Sequence, residues 1–324
     1  MNNKLLLIMP IFNGYENELK KVAQLKFKSV DAVFYDEKEF FSLYKLPFYV
    51  KVILYFLRLI IYGNMNENRV FIKIRDFFIR KYLSDDFNRW VLSKQSGYYD
   101  NLLIIKGFGL YAETINCITA KKKTFYQWDN LIHFPTVLEI IGCFDSVYSF
   151  DINDARRIQG EFLPNFYIPR DKIKKNNDMF FVGVYSKERY AILKKLTVFC
   201  NENNYTFFFK LYHSVMKEDQ IITNKKISPK NYNQLFIRSK FILEITKDEQ
   251  IGYSQRYLEA LDNNCLFVVK DAKVNEEGKI LSLEFFLNNS SKLIETRLKS
   301  DLSVDEKALL NLCRIDNWLE KLLE

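Results

Sequence analysis

Short apolar runs alternate with longer stretches of helical spacing along most of the chain. Residues 4–9 form the first run. An Asn13-Gly14 turn follows, and residues 16–25 then carry apolar positions three and four apart, so the chain opens as strand, loop, helix. A second short strand is predicted over 32–35. Residues 38–95 read as mostly helical, with long aromatic and basic faces and few breakers. Strands are predicted over 102–106, ahead of Gly107 and Gly109, over 124–128, ending at Asp129, and over 146–150, ending at Asp151. Helical segments over 113–119, 135–141 and 154–159 separate them. Short strands joined by helices predict a parallel sheet covered on both faces, an α/β fold. Acidic residues and glycines stand just past the strand ends, where open α/β sheets receive ligands.

The segment 168–178 is polar and charged, without apolar period, and a second alternation begins after it. Strands are predicted over 179–185, 205–211, 241–245 and 266–269, and helices over 188–201, 230–238 and 254–261. The remainder reads as helical and closes on an amphipathic helix. A domain boundary in this segment divides the chain into residues 1–170 and 171–324.

Length agrees, since 324 residues correspond to two domains at roughly 150 each. The net charge of +8 points to an anionic partner: a nucleotide phosphate, an anionic membrane or nucleic acid. The excess is concentrated. Residues 45–82 hold eight Lys and Arg against Glu67 and Asp76. Two readings are open for this segment: a face that docks on an anionic membrane leaflet, or core aromatics with solvated cations. No recognised nucleic-acid motif accompanies it. The five cysteines form no CxxC pair, which fits free thiols in a reducing compartment and a cytoplasmic protein. With only His133 and His213 in the chain, a histidine-based metal site is not expected. The run 50–62 is interrupted by Lys51 and Arg58 and falls short of the roughly 20 apolar residues a spanning helix needs.

The candidate chemistry lies in FILEITKDEQIGYSQRYLEALDNNCLFVVK, residues 241–270. A buried strand leads into a loop with Gln250 and Gly252, and a helix opens at Ser254, an N-cap residue type. Gln255 and Arg256 occupy its first turn and Glu259 lies one turn on. Helix N-terminal amides and an arginine suit a diphosphate, and a carboxylate on the same face can accept two ribose hydroxyls. The plainer alternative is a surface ion pair between Arg256 and Glu259.

Several stretches together resemble bacterial lipopolysaccharide and capsule glycosyltransferases of the GT-B fold, which have two Rossmann-type domains with parallel sheets facing a central cleft. YQWDN (126–130) and FDSVYSFDINDA (144–155) resemble the end of the N-terminal, acceptor-binding domain. SKFILEI (239–245) with QIGYSQRYLEAL (250–261) resembles the donor-site signature. DNWLE (316–320) resembles the closing helix that crosses back to the first domain. The likeness covers most of the chain from residue 102 onward. It implies that Glu259 binds the donor ribose, and that Arg256 with the Ser254 and Gln255 amides meets the diphosphate beside the Gln250–Gly252 loop. Lys210 would be a second phosphate contact, or else an ordinary strand-end lysine. Gly183 would admit the nucleotide to the backbone, or else serve a tight turn or bulge. Asp129 is the candidate general base, and Asn13 and Gly14 would line the same cleft. The sequence departs from the family in one respect. Many retaining members carry a second glutamate eight positions before the first, and Ile251 stands there, so retention or inversion is not assigned.

The resulting expectation is transfer of a sugar from a nucleotide-sugar donor to a glycan or lipid-linked acceptor, without metal or other cofactor and without nucleic acid. Asp151 and Asp154 are read as a helix cap and helix-start residue rather than as a metal motif. The competing readings are another GT-B-like enzyme such as an epimerase, against which the scarcity of histidine speaks, a degenerate transferase domain serving as an assembly partner, and a nucleic-acid binder.

Overall fold

The computed structural model describes residues 3–60, 69–245, 254–270, 278–289 and 291–324. The chain divides into two compact units, Met1–Asn165 together with Ile315–Glu324, and Phe166–Arg314.

In the first unit the elements run β1 (Lys4–Pro10), α1 (Tyr15–Lys26), β2 (Ser29–Tyr35), α2 (Glu37–Phe41), α3 (Phe48–Ile60), α4 (Arg69–Lys94), β3 (Tyr99–Ile105), α5 (Ala112–Cys117), β4 (Ala120–Gln127), β5 (Ser146–Ser149), α6 (Ile152–Arg157) and β6 (Glu161–Phe162). The sheet order is β2-β1-β3-β4-β5-β6 and every pairing is parallel. Five successive residues of β1, Leu5 to Met9, are fully buried, as a central strand covered on both faces requires. Leu6 and Ile8 join a core with Val50, Leu54, Phe87 and Val91 from α3 and α4. Asp151 caps α6, its carboxylate accepting from the Asn153 and Asp154 amides.

The second unit runs β7 (Asn177–Val184), α7 (Lys187–Glu202), β8 (Phe207–Tyr212), β9 (Ile222–Thr223), α8 (Pro229–Ile237), β10 (Ser239–Glu244), α9 (Gln255–Asp262), β11 (Leu266–Val269), β12 (Ile280–Ser282), α10 (Leu283–Asn288), α11 (Ser291–Lys299) and α12 (Val304–Cys313). Its sheet is also all parallel, in the order β12-β11-β10-β7-β8-β9. Strand alternation sorts its side chains cleanly. Met179, Phe181, Phe209, Leu211, Phe241 and Leu243 face one core, packed by α7, α10 and α11. Phe180, Ile242, Phe267 and Val269 face the other, packed by α8, α9 and α12.

The final helix, α13 (Ile315–Leu323), belongs to the first unit. Its Trp318 is fully buried. The indole N–H donates to the Pro164 carbonyl at 2.9 Å, and the ring meets Tyr126 edge-on with centroids 4.7 Å apart.

The predicted strands are all present, some with extended ends and some shortened, as β5 stops at Ser149 and β8 begins at Phe207. The strand predicted over 124–128 starts at Ala120, because Lys121–Lys123 continue the ladder with β3 where the sheet emerges from its apolar cover. The described residues of the mostly helical stretch 38–95 form α2, α3 and α4 with a 3-10 turn at Leu43–Lys45. The edge strands β6, β9 and β12 were not predicted from the sequence. Each is two or three residues long, too short to show a period.

Trp318→Ala should destabilise the first unit by ~3–5 kcal/mol, since it removes a fully buried indole and strands the Pro164 carbonyl. Chemical denaturation of the purified variant checks this, and an unchanged midpoint would show that α13 is dispensable for that core.

Candidate functional site

In the second unit, functional side chains converge at the carboxyl ends of β7, β8 and β10. Arg256, in the first turn of α9, donates from Nη2 to the Val182 carbonyl at 2.7 Å. Its Nη1 lies 3.7 Å from the Glu244 carboxylate at the end of β10, and the guanidinium sits 5.4 Å from the centre of the Phe181 ring. Burial alone would ease its deprotonation, but the Tyr232 hydroxyl, Glu244 and Glu259 outweigh that and raise its pKa further. Ser254 stands at the N-cap of α9 but bonds no helix amide. Its hydroxyl donates instead to Glu244, a charged and therefore stronger acceptor.

Glu259 is buried and paired with Arg170, Nη2 to Oε1 at 2.9 Å. The surface ion pair between Arg256 and Glu259 is thus replaced by two separate pairs, Arg256 with Glu244 and Glu259 with Arg170. Arg170 Nη1 is buried without an acceptor among the described residues. Gln255 donates from its side chain to the Phe166 carbonyl at 2.9 Å. Gln250 and Gly252 lie outside the described residues.

Lys210 is paired in register with Val182, so it stands one strand away from the carbonyl that Arg256 holds. Its Nζ donates to the Gln220 carbonyl at 2.9 Å. Gly183 follows Val182, and a Cβ there would come 3.0 Å from the Phe181 ring. A side chain at this position would therefore crowd the Phe181 ring.

Lys210 also lines a pocket of 590 Å³ whose other cations are Lys225, Lys226 and Arg238. Phe208, Thr223 and Ser228 contribute to the wall, and among the described residues no Asp or Glu lines it. The nearby carboxylates are committed to the turn before β9. Glu218 is held below the usual carboxylate range chiefly by the Asn224 amide, with Lys225 and Lys210 adding to it. Burial pushes Asp219 up, but the Ile222 and Ile221 amides, Tyr190 and Lys210 bring it down overall. Lys225, Lys226 and Arg238 were missed from the sequence. The available signal was the Lys225-Lys226 pair just ahead of the Ser228-Pro229 helix start.

The first unit has its own cluster at the carboxyl ends of β1 to β4. Lys106 follows β3 in a left-handed conformation, φ 72°. Its ammonium lies 2.7 Å from Asp129 Oδ2 and 2.9 Å from Glu37 Oε1, and 4.3 Å from the centre of the Phe134 ring. Burial lowers the lysine pKa, but Asp129 and Glu37 outweigh it, so the net shift is upward. The buried Tyr35 hydroxyl has no hydrogen-bond partner among the described residues, and burial with the charges of Glu37 and Asp129 pushes it well above its ordinary value. Asp129 is therefore one member of a charged cluster rather than a lone loop carboxylate. Lys106 and Glu37 were not singled out from the sequence, because they lie 23 and 92 positions from Asp129. Asn13 and Gly14 both take positive φ, 52° and 87°, in the turn between β1 and α1. That turn is held by Glu16, which accepts from the Phe12 amide at 3.0 Å, and by Phe12 and Tyr15 packed on Trp128.

No family model matches the sequence, and no curated protein matches it. Solved structures do. An α,α-trehalose-phosphate synthase (UDP-forming) from Burkholderia vietnamiensis is similar over 99% of this chain and 96% of its own, with 8% identity and a TM-score of 0.57. UGT89C1 of Arabidopsis thaliana, complexed with UDP, has 11% identity over 100% of this chain and 94% of its own, with a TM-score of 0.45. A GtfA/B complex has 11% identity and a TM-score of 0.37 over 76% of this chain, which spans only 60% of the length of that protein. The fold likeness rests on the synthase. Two six-stranded parallel sheets, each with helices on both faces, make this an α/β fold of the GT-B type.

Two measurements check the charged clusters. Arg170→Met should cost ~3–5 kcal/mol in chemical denaturation because it takes the arginine away from the buried Glu259 carboxylate, and adding Glu259→Gln should recover part of the loss. Lys106 has a folded-state pKa above its ordinary 10.5, so its contribution is complete below that value and fades as pH rises through the raised one. The stability gap between wild type and Lys106→Met should therefore hold constant from neutral pH and close only in the alkaline range. A gap that closes below pH ~9 would mean that the ion pairs do not form.

Proposed function

We propose that this chain is a glycosyltransferase that takes a sugar from a nucleotide-sugar donor bound to the Phe166–Arg314 unit. The observation that carries the reading is the concentration of cations on one face of that unit's sheet. Arg256 is anchored on Val182, Lys210 stands opposite Val182 on the next strand, and Lys225, Lys226 and Arg238 surround a pocket that no carboxylate lines among the described residues. A nucleoside diphosphate carries its charge in the compact form such a face can neutralise, and cations fixed in place before the reaction stabilise the leaving diphosphate as it develops. The likeness in fold to a UDP-forming synthase fits a nucleoside diphosphate leaving group.

In this reading Arg256, Lys210 and the α9 N-terminal amides meet the phosphates, and Glu259 accepts the ribose hydroxyls by exchanging part of its pairing with Arg170. The cations supply the electrostatic stabilisation, so the transfer is proposed to need no metal ion. Asp129 is the proposed base for the acceptor hydroxyl, held in place by Lys106. The acceptor is proposed to be a growing bacterial surface glycan of the lipopolysaccharide or capsule type, on the strength of the motif resemblance, and the transferred unit a hexose or related sugar. The five free thiols suit a cytoplasmic setting.

Calorimetric titration with UDP, GDP, TDP, CDP and CMP, without added metal, tests this. One nucleotide should bind saturably to the wild type. Binding should weaken by about tenfold or more in Lys225→Ala/Lys226→Ala and in Glu259→Gln. Absence of binding by folded wild type would overturn the transferase reading and favour a degenerate domain.

A further inference from the structure

Helix α3 violates the usual rule for a helix on a protein surface. Only one stripe of it faces the core, where Val50 and Leu54 are buried and Leu57 is half-buried. The opposite side is apolar as well. Phe48 is 80% exposed, Ile60 76%, and Tyr55, Phe56 and Leu59 57–58%. A large apolar surface on a helix is normally buried, and the described residues provide no cover for this one. The apolar surface continues onto α4. The Tyr49 and Tyr82 hydroxyls share a hydrogen bond of 2.6 Å, Tyr82 stacks on Phe78, and Phe78 meets the exposed ring of Phe77.

Lysines border this surface. Lys45 and Lys51 are exposed around and on α3, and Lys73 and Lys81 share the exposed stripe of α4 with Val70 and Phe77. The segment's arginines at 75 and 80 are paired with Asp76 and Glu139. Among the described residues the four lysines form no ion pair, and no Asp or Glu interrupts α3.

We propose that the α3–α4 face docks the protein on an anionic lipid surface, with the α3 aromatics in the headgroup region and the lysines against the lipid phosphates. The charge pattern selects this occupant. A second copy of the chain would bring the four lysines against their own symmetry mates, and protein interfaces are depleted in lysine, whereas an amphipathic helix with lysines beside aromatic and aliphatic side chains is the pattern that lies in a membrane interface. The geometry is that of lying on the surface rather than crossing it. No single described helix is long and apolar enough to span a membrane; Glu37–Lys45 and Phe48–Leu57 reach that length and composition only as a pair, and the 84° bend between them breaks the straight path of a spanning helix. The inference does not depend on the nucleotide site, so it and the transferase reading can fail separately.

Flotation of the full chain with phosphatidylcholine vesicles, with and without phosphatidylglycerol, is the test. The wild type should float with the anionic vesicles, far less with the neutral ones, and less as salt is raised. Phe48→Ser/Phe56→Ser alters only exposed rings and should keep the wild-type melting temperature while losing partition by about tenfold or more. Lys51→Gln/Lys73→Gln/Lys81→Gln should lose roughly fivefold per charge on anionic vesicles only. The proposal is overturned if the wild type stays unbound on both vesicles, if the Phe pair binds as the wild type does, or if light scattering shows a dimer that the Phe pair dissociates while no vesicle is bound.

Discussion

The Glu244 carboxylate is the charge about which the carboxyl ends of the central strands of the second sheet are organised. It ends a strand whose preceding residues, Phe241, Ile242 and Leu243, are buried in two apolar cores. A negative charge so close to low-dielectric surroundings must be met by positive and hydrogen-bonding groups. Arg256 and Ser254 meet it, and both belong to the opening of α9. The interaction therefore fixes where α9 begins, sets the Arg256 guanidinium over Phe181 and against Val182, and leaves the helix amides free of the usual Ser cap. Lys210 and its pocket lie on the adjoining strand of the same face.

The first unit solves a similar problem with the opposite sign. There the buried charge is Lys106, and Asp129 and Glu37 compensate it. In both units the charges sit past the carboxyl ends of parallel strands, because the two faces of each sheet are closed by helices and only the ends remain for polar chemistry. Local contacts reinforce the arrangement: Asn13 and Gly14 turn the chain with positive φ, and Glu16 fastens that turn.

The alternation of strand and helix was legible because apolar runs such as LLLIM in β1 and FIL in β10 are continuous, and the helices between them have caps such as Asp151, Ser186 and Ser228. The position of Arg256 and Glu259 one turn apart on α9 was legible too. Their partners were not. Glu244 and Arg170 lie 12 and 89 positions away from the residues they pair with, and a single sequence carries no record of such long-range contacts. The same distance hid the Lys106 cluster and the grouping of Lys210 with Arg238. The apolar segment after residue 45 was visible, but which of its aromatics face the core is decided by packing: Val50 and Leu54 turn inward and Phe48 and Phe56 do not.

The most direct test of a nucleotide-dependent transferase is a crystal structure of the protein soaked at saturating nucleoside diphosphate in the presence of a chelator. The expected result is a diphosphate within hydrogen-bonding reach of Arg256 or Lys210, with the ribose at Glu259. A site left empty at saturation, or a nucleotide bound on another surface, would contradict the account.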